Sequence, residues 1–146
     1  MRFRKLEAGD KQIYVSLASA FYQSEAVLHP VPMQNIENTF AELTTRDTYV
    51  ECWLCEEQGE AIGFLLVAKT FSQESGGMVT WIEELYLKEA YRGAGRGKEM
   101  MRFIQTQFPA SRFRLEAEPE NEKAIRLYQS LGYRELPYIQ YVKETH

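Results

Sequence analysis

Apolar residues recur along this chain with two periods, and the places where the period changes divide it into elements. Arg2–Lys5 reads as a short strand, closed by Ala8-Gly9-Asp10, with Asp10 placed to cap a following helix through its side chain. Ile13, Leu17, Ala20 and Phe21 then fall at helical spacing. His29-Pro30-Val31-Pro32 ends that helix, because each proline disfavours α geometry in the residue before it. Ile36, Phe40 and Leu43 predict a second helix over 33–43. Strands over 49–55 and 61–71 flank the turn Glu57-Gln58-Gly59-Glu60, and a polar loop, 72–77, leads to a strand over 79–87. Met100, Met101, Ile104 and Phe108 mark an amphipathic helix over 95–108. A strand over 113–117 precedes a helix over 120–131, whose Ala124, Leu127, Tyr128 and Leu131 share a face and whose C′ position is Gly132. Two short strands, 133–136 and 138–143, are expected to finish the chain.

The order β-α-α-β-β-β-α-β-α-β-β carries no repeat or linker, so residues 1–146 are expected to form one α/β domain. Three consecutive strands suggest an antiparallel meander, whereas the strand–helix–strand around 95–108 demands a parallel pair. The sheet is therefore mixed, and a parallel pair with unequal neighbours can splay at one end to leave a cleft.

Composition narrows the function. At 146 residues the chain can bury one sizeable core. A net charge of −4 argues against a nucleic-acid partner, since phosphate binding needs a basic surplus. No stretch approaches the ~20 apolar residues of a membrane span, and the basic start, followed by Glu7 and Asp10, is no secretory signal. Cys52 and Cys55 sit three apart in an alternating run, pointing to opposite strand faces, and no second pair or nearby histidine completes a metal pattern. They read as buried free thiols, with no metal and a cytoplasmic location expected.

The chemistry concentrates in Tyr91-Arg92-Gly93-Ala94-Gly95-Arg96-Gly97-Lys98, between a strand and a helix. Glycines opening a helix let backbone N–H groups converge on an anion, and the local basic surplus favours phosphate. A P-loop is excluded: the residue five before Gly97 is Arg92, and Glu99 stands where a magnesium-binding hydroxyl is needed. A dinucleotide fingerprint counted from Gly93 meets Lys98 where close packing wants glycine.

What fits is R-x-x-G-x-G, formed by Arg92, Gly95 and Gly97, and it resembles the acyl-CoA pyrophosphate loop of the GNAT acetyltransferase superfamily. Upstream, Ile82-Glu83-Glu84-Leu85-Tyr86-Leu87 looks like the family's fourth strand. Downstream, Asn121, Ala124, Tyr128 and Gly132-Tyr133 look like its other cofactor motif. The resemblance implies a largely antiparallel sheet of six to seven strands flanked by four helices, splayed between the fourth and fifth strands. It also implies acetyl-CoA as co-substrate. The amides from Gly93 through Ala94, Gly95, Arg96 and Gly97 to Lys98 would hold its pyrophosphate. Arg92 and Arg96 either reach phosphates or are solvated surface charges. The strand Leu85-Tyr86-Leu87 would pair through the backbone of Leu85 and Leu87 with the pantetheine arm, and a bulge there would aim one N–H, with Leu85 as the candidate, at the thioester carbonyl. Asn121 would contact the cofactor arm or serve as a plain N-cap.

Two proton transfers complete the expectation. Tyr128 would protonate the departing thiolate, since a phenol near pKa ~10 can give a proton to it. A cleft carboxylate, Glu83 before Glu84, would take the amine's proton. By resemblance Phe21, Tyr22, Glu25 and His29 line the acceptor wall, where acidic and aromatic residues suit a cationic small-molecule amine. Transfer to a protein N-terminus or lysine, or acyl-CoA sensing without turnover, are the other readings, and the resemblance suggests a homodimer.

Overall fold

The computed structural model describes residues 1–24 and 26–145. Strands β1 (Arg2–Lys5), β2 (Val50–Glu57), β3 (Glu60–Ser72), β4 (Gly77–Leu87) and β5 (Arg112–Leu115) form one sheet in that order. The first three pairings are antiparallel and the last, β4 with β5, is parallel, so the mixed sheet is as expected. Helices α1 (Lys11–Tyr22) and α2 (Met33–Thr45) cover one face; α3 (Arg96–Gln107) and α4 (Glu122–Ser130) cover the other.

Alternation along the central strand β3 explains the two-sided core. Phe64 and Leu66 pack with Tyr14, Leu17, Phe21, Ile36 and Phe40, whereas Leu65 and Val67 pack with Met101, Ile104 and Phe108. Gly63 of β3 is opposite Leu87 of β4, and a Cβ there would stand 2.3 Å from the Tyr86 carbonyl oxygen.

Two expectations are corrected. Asp10 does not cap α1 with its side chain: its carboxylate accepts from both terminal guanidinium nitrogens of Arg4, at 2.9 and 3.1 Å, and from the Glu7 N–H at 2.7 Å. The sheet has five strands rather than six to seven, because 133–145 carries no strand. Pro137 divides the tail, supplying no N–H and fixing its own φ, and Tyr138, Ile139, Tyr141 and Val142 are 61%, 81%, 91% and 83% exposed.

The strand that matters most to function is irregular. Leu66 is opposite Glu84 and Val67 is opposite Ile82, so Glu83 is an extra residue in β4. A bulge of this kind breaks the two-residue repeat. Ile82 and Leu85 both pack on the α3–α4 side, and Glu83 and Glu84 both turn to the α1–α2 side.

Candidate active site

The pairing of β4 with β5 runs from Val79↔Arg112 to Ile82↔Leu115 and stops there. Beyond that point the strands part and leave a cleft of about 420 Å³. From the α1–α2 side it is lined by Phe21, Tyr22 and His29, from the α4 side by Asn121, Ala124 and Tyr128, and between them by Glu83 and Leu85. The opening therefore passes through the sheet from one face to the other.

The exposed edge of β4 is polar backbone. The Lys88 N–H donates to the Ile62 carbonyl at 2.8 Å, so by alternation the amides of Leu87 and Leu85 turn away from β3 toward the splay. Both amides are thus left without a strand partner on that side among the described residues. Tyr86, named with them, differs: its backbone turns to β3, and its ring packs edge-on against Phe21 at 6.4 Å and near Phe64 at 6.2 Å. Strand parity packs it, half-buried, against the α1–α2 core.

At the rim of the splay lies the glycine loop. Gly93 and Gly95 have φ of +88° and +80°, left-handed geometry that side chains disfavour. Gly95 is the N-cap of α3 and supplies no side chain to it, while the Glu99 N–H is already bonded to the Gly95 carbonyl at 3.1 Å. The amides of the first turn, including Gly97 and Lys98, have no partner within the helix and open outward with the helix dipole behind them. Ala94 and Lys98 are exposed. These features suit a phosphate group. Gly97 has a second reason to be glycine, since a Cβ there would meet Leu127 of α4 at 3.1 Å.

Both loop arginines are engaged. Arg92 Nε donates to the Leu87 carbonyl at 2.8 Å, with its guanidinium 5.6 Å from the Tyr86 ring centroid. Arg96 forms a two-oxygen pair with Glu57 at 2.9 and 2.7 Å and donates to the Tyr91 carbonyl at 3.1 Å. They brace the loop against β2 and β4. Glu57, invisible as a partner in the sequence, is read only when the sheet brings it to α3.

Gly95→Val should weaken acetyl-CoA binding at least tenfold, because a β-branched side chain resists positive φ and crowds the phosphate's approach. Calorimetric titration checks this; unchanged affinity in a folded variant removes the loop from the site.

On the α4 side, Asn121 caps the helix, accepting from the Ala124 N–H at 3.4 Å through Oδ1, which leaves its amide nitrogen for the cleft. At the other end, the Tyr133 N–H bonds the Tyr128 carbonyl at 3.0 Å and Gly132 N–H bonds Gln129 at 3.1 Å, with Gly132 at φ +90°. This Schellman closure fixes the turn that presents Tyr128. Burial pushes the Tyr128 phenol above its ordinary value, so at neutral pH it is protonated and a donor.

On the α1–α2 side, both glutamates of the bulge are present in different settings. Glu83 borders the cleft with its side chain exposed, and partial desolvation there together with neighbouring Glu116 raises its pKa. Glu84 lies deeper. Burial raises it to about 7, Glu83 adds to the rise, and the Tyr22 hydroxyl, which donates to Glu84 Oε2, opposes it. Its other oxygen, Oε1, is buried without a hydrogen-bond partner. Strict alternation would divide these two adjacent residues between the faces of the sheet; the bulge gives both to one side.

Glu116 and Glu118 of the β5–α4 connection also line the cleft and were missed. The available signal was two carboxylates at the end of a strand expected to part from its neighbour. Phe21, Tyr22 and His29 line the cleft; Glu25 lies outside the described residues. Cys52 and Cys55 are buried, neither lines the cleft, and burial pushes the Cys55 thiol to about 12. Among the described residues no cluster of His, Cys, Asp and Glu could hold a metal, and no helix is long and apolar enough to cross a membrane.

Residues 12–133 match the profile of the Acetyltransferase (GNAT) family. The chain belongs to the GNAT family. A stretch of 85 residues is 33% identical to thialysine N-epsilon-acetyltransferase of Sus scrofa, covering 56% of this chain and 49% of that enzyme, so the match spans about half the relative's length. Among solved structures, one described as a possible acetyltransferase from Clostridium difficile 630 superposes with a TM-score of 0.82 at 18% identity, over 99% of this chain and 97% of that one. AAC(6')-Iy in complex with the bisubstrate analog CoA-S-monomethyl-acetylneamine gives 0.79 at 16% identity, over 99% and 98%. At those identities the likeness establishes the GNAT fold.

Proposed function

We propose that this GNAT protein transfers the acetyl group of acetyl-CoA to a primary amine of a small molecule by direct attack in a ternary complex. The observation that carries the reading is the cleft that crosses the sheet where β4 and β5 part, with an anion-binding helix N-terminus at its rim. The amides from Gly93 to Lys98 would hold the pyrophosphate, and the Leu85 and Leu87 backbone and Asn121 the pantetheine arm. Acetyl-CoA supplies an activated thioester.

The chain's own groups divide the work by face. An amine entering from the α1–α2 side meets Glu83 and Tyr22, with Glu84 behind the tyrosine. On the opposite side stands Tyr128. Attack and departure at a carbonyl carbon occur from different directions, so a proton acceptor on one face and a donor on the other match the reaction. The Leu85 N–H, beside the bulge, would stabilise the oxyanion. Glu83, Glu116 and Glu118, with no Lys or Arg among the described residues that line the same cleft, favour a cationic acceptor. No thiol relay is needed.

A panel of small amines and peptides with acetyl-CoA, followed by release of free thiol, tests this. Turnover of small amines is the expected result. Turnover confined to peptides would reassign the acceptor to a protein N-terminus or lysine, and binding without turnover would make the protein a sensor.

We also infer a homodimer, supported by the exposed run Tyr138, Ile139, Tyr141 and Val142. Sedimentation equilibrium should give twice the monomer mass at micromolar concentration; a monomer throughout would remove this inference alone.

A further inference from the structure

Behind the cleft lies a second cavity of about 200 Å³, between α1, α2 and β4. Tyr14, Asn35, Thr39 and Glu84 contribute to it, and Tyr22 borders both it and the cleft. Glu84 lines the second cavity but not the cleft, so the Tyr22 side chain stands as the wall between them. The hydroxyl in that wall donates to Glu84 Oε2. The remaining carboxylate oxygen, Oε1, is buried and has no hydrogen-bond partner among the described residues. A space of this size, lined by the polar side chains of Tyr14, Asn35, Thr39 and Glu84, accommodates several waters at ~30 Å³ each.

We propose that Tyr22 and Glu84 form a proton relay, in which the acceptor's ammonium loses its proton to the Tyr22 oxygen while the Tyr22 hydroxyl proton passes to Glu84 Oε2, to leave through the second cavity. The inference rests on the acetyl-transfer reading above. The nitrogen lone pair freed by the transfer forms the N–C bond to the acetyl carbon. The C–S bond then breaks, Tyr128 gives its proton to sulfur, and the adduct nitrogen releases its second proton to solvent, from which Tyr128 is reprotonated. One proton in excess leaves by way of Glu84, as the overall conversion of an ammonium and a thioester to an amide and a thiol requires.

Several features fit such a relay better than a simple acceptor contact. Burial and the nearby Glu84 charge push the Tyr22 phenol well above its ordinary value. It therefore does not hold a negative charge, and it releases its proton as it receives one. Glu84, near pH 7, can take a proton and return it to water at neutral pH. The groups facing Glu84 are Tyr22 and Tyr14 from α1, Asn35 and Thr39 from α2, Cys52 from β2 and adjacent Glu83. No lysine, arginine or histidine is among them, so nothing there clamps it in the ionised form. Tyr22 is thus the group that meets substrate, and Glu84 is a positioning and proton-accepting residue acting through it.

The experiment is the pH profile of kcat for Tyr22→Phe, Glu84→Gln and the double variant, with an amine that the wild type acetylates. Each variant should lose about 30-fold in kcat at pH 6.5, and the deficit should shrink toward pH 10, where the amine arrives deprotonated. The double variant should lose no more than either single one, because both interrupt one path. Acetyl-CoA affinity by calorimetry should hold in all three, showing an intact fold. If Tyr22→Phe raises KM for the amine and leaves kcat unchanged, Tyr22 is only a contact and the relay is overturned. A full kcat in Glu84→Gln at pH 6.5 overturns it equally. Wild-type protein that releases no thiol with any amine overturns the acetyl-transfer reading itself, and the relay with it.

Discussion

Tyr128→Phe should lower turnover roughly 10²-fold while acetyl-CoA affinity and thermal stability stay near the wild-type values. The substitution removes one hydroxyl and keeps a ring packed beside Tyr133, whose centroid is 6.1 Å away. Because burial keeps the phenol protonated at neutral pH, the wild type holds its acid in the active form across the physiological range. The loss should therefore be close to constant between pH 6 and 9. Steady-state kinetics with the chemical step shown to limit the rate provides the check. Full turnover in this variant would mean that the thiolate is protonated elsewhere and that Tyr128 is a core aromatic.

Glu84→Gln should change the pH dependence of folding. The carboxyl rises from 4.5 in the unfolded chain to about 7 in the fold, so the native state holds its proton more tightly. For an acid shifted upward, stability is highest below the unfolded value and falls as pH rises through the folded one. The wild type accordingly loses about 3 kcal/mol from this group between pH 4.5 and 7, whereas glutamine, neutral throughout and still able to accept from Tyr22, loses none. Urea denaturation should find the two proteins equally stable at pH 4.5 and the variant more stable by about 3 kcal/mol at pH 8. Equal stability at pH 8 would show that Glu84 is comfortably solvated when ionised.

How much of this was legible in the sequence depended on the range of the interaction. The glycine loop, the α3 and α4 faces and the Gly132 closure were readable because their causes lie within a turn or two of chain. The parallel step from β4 to β5, and so the cleft, followed from connection length. What escaped required partners far apart. The Arg96–Glu57 pair joins residues 39 apart, and Tyr22 meets Glu84 across 62. The bulge was implied by the resemblance but not by the residues themselves, because it depends on where β3 registers against β4, which neither strand's own pattern states. The tail shows the opposite failure: residues 138–143 have a strand's composition, but a strand needs a neighbour's backbone, and this chain offers them none among the described residues.

The extra residue in β4 also changes what a strand can deliver. Strict alternation rations each face of a sheet to one side chain in every two, spaced some 7 Å apart along the strand. Inserting Glu83 gives the α1–α2 side a doublet, two carboxyls on consecutive residues, one at the mouth and one in the interior. Two adjacent letters of the sequence thereby become an outer station at the cleft and an inner one behind Tyr22, of which only the inner lies on the proton path. Relocating the insertion by one residue would reassign those stations without altering any amino acid that occupies them.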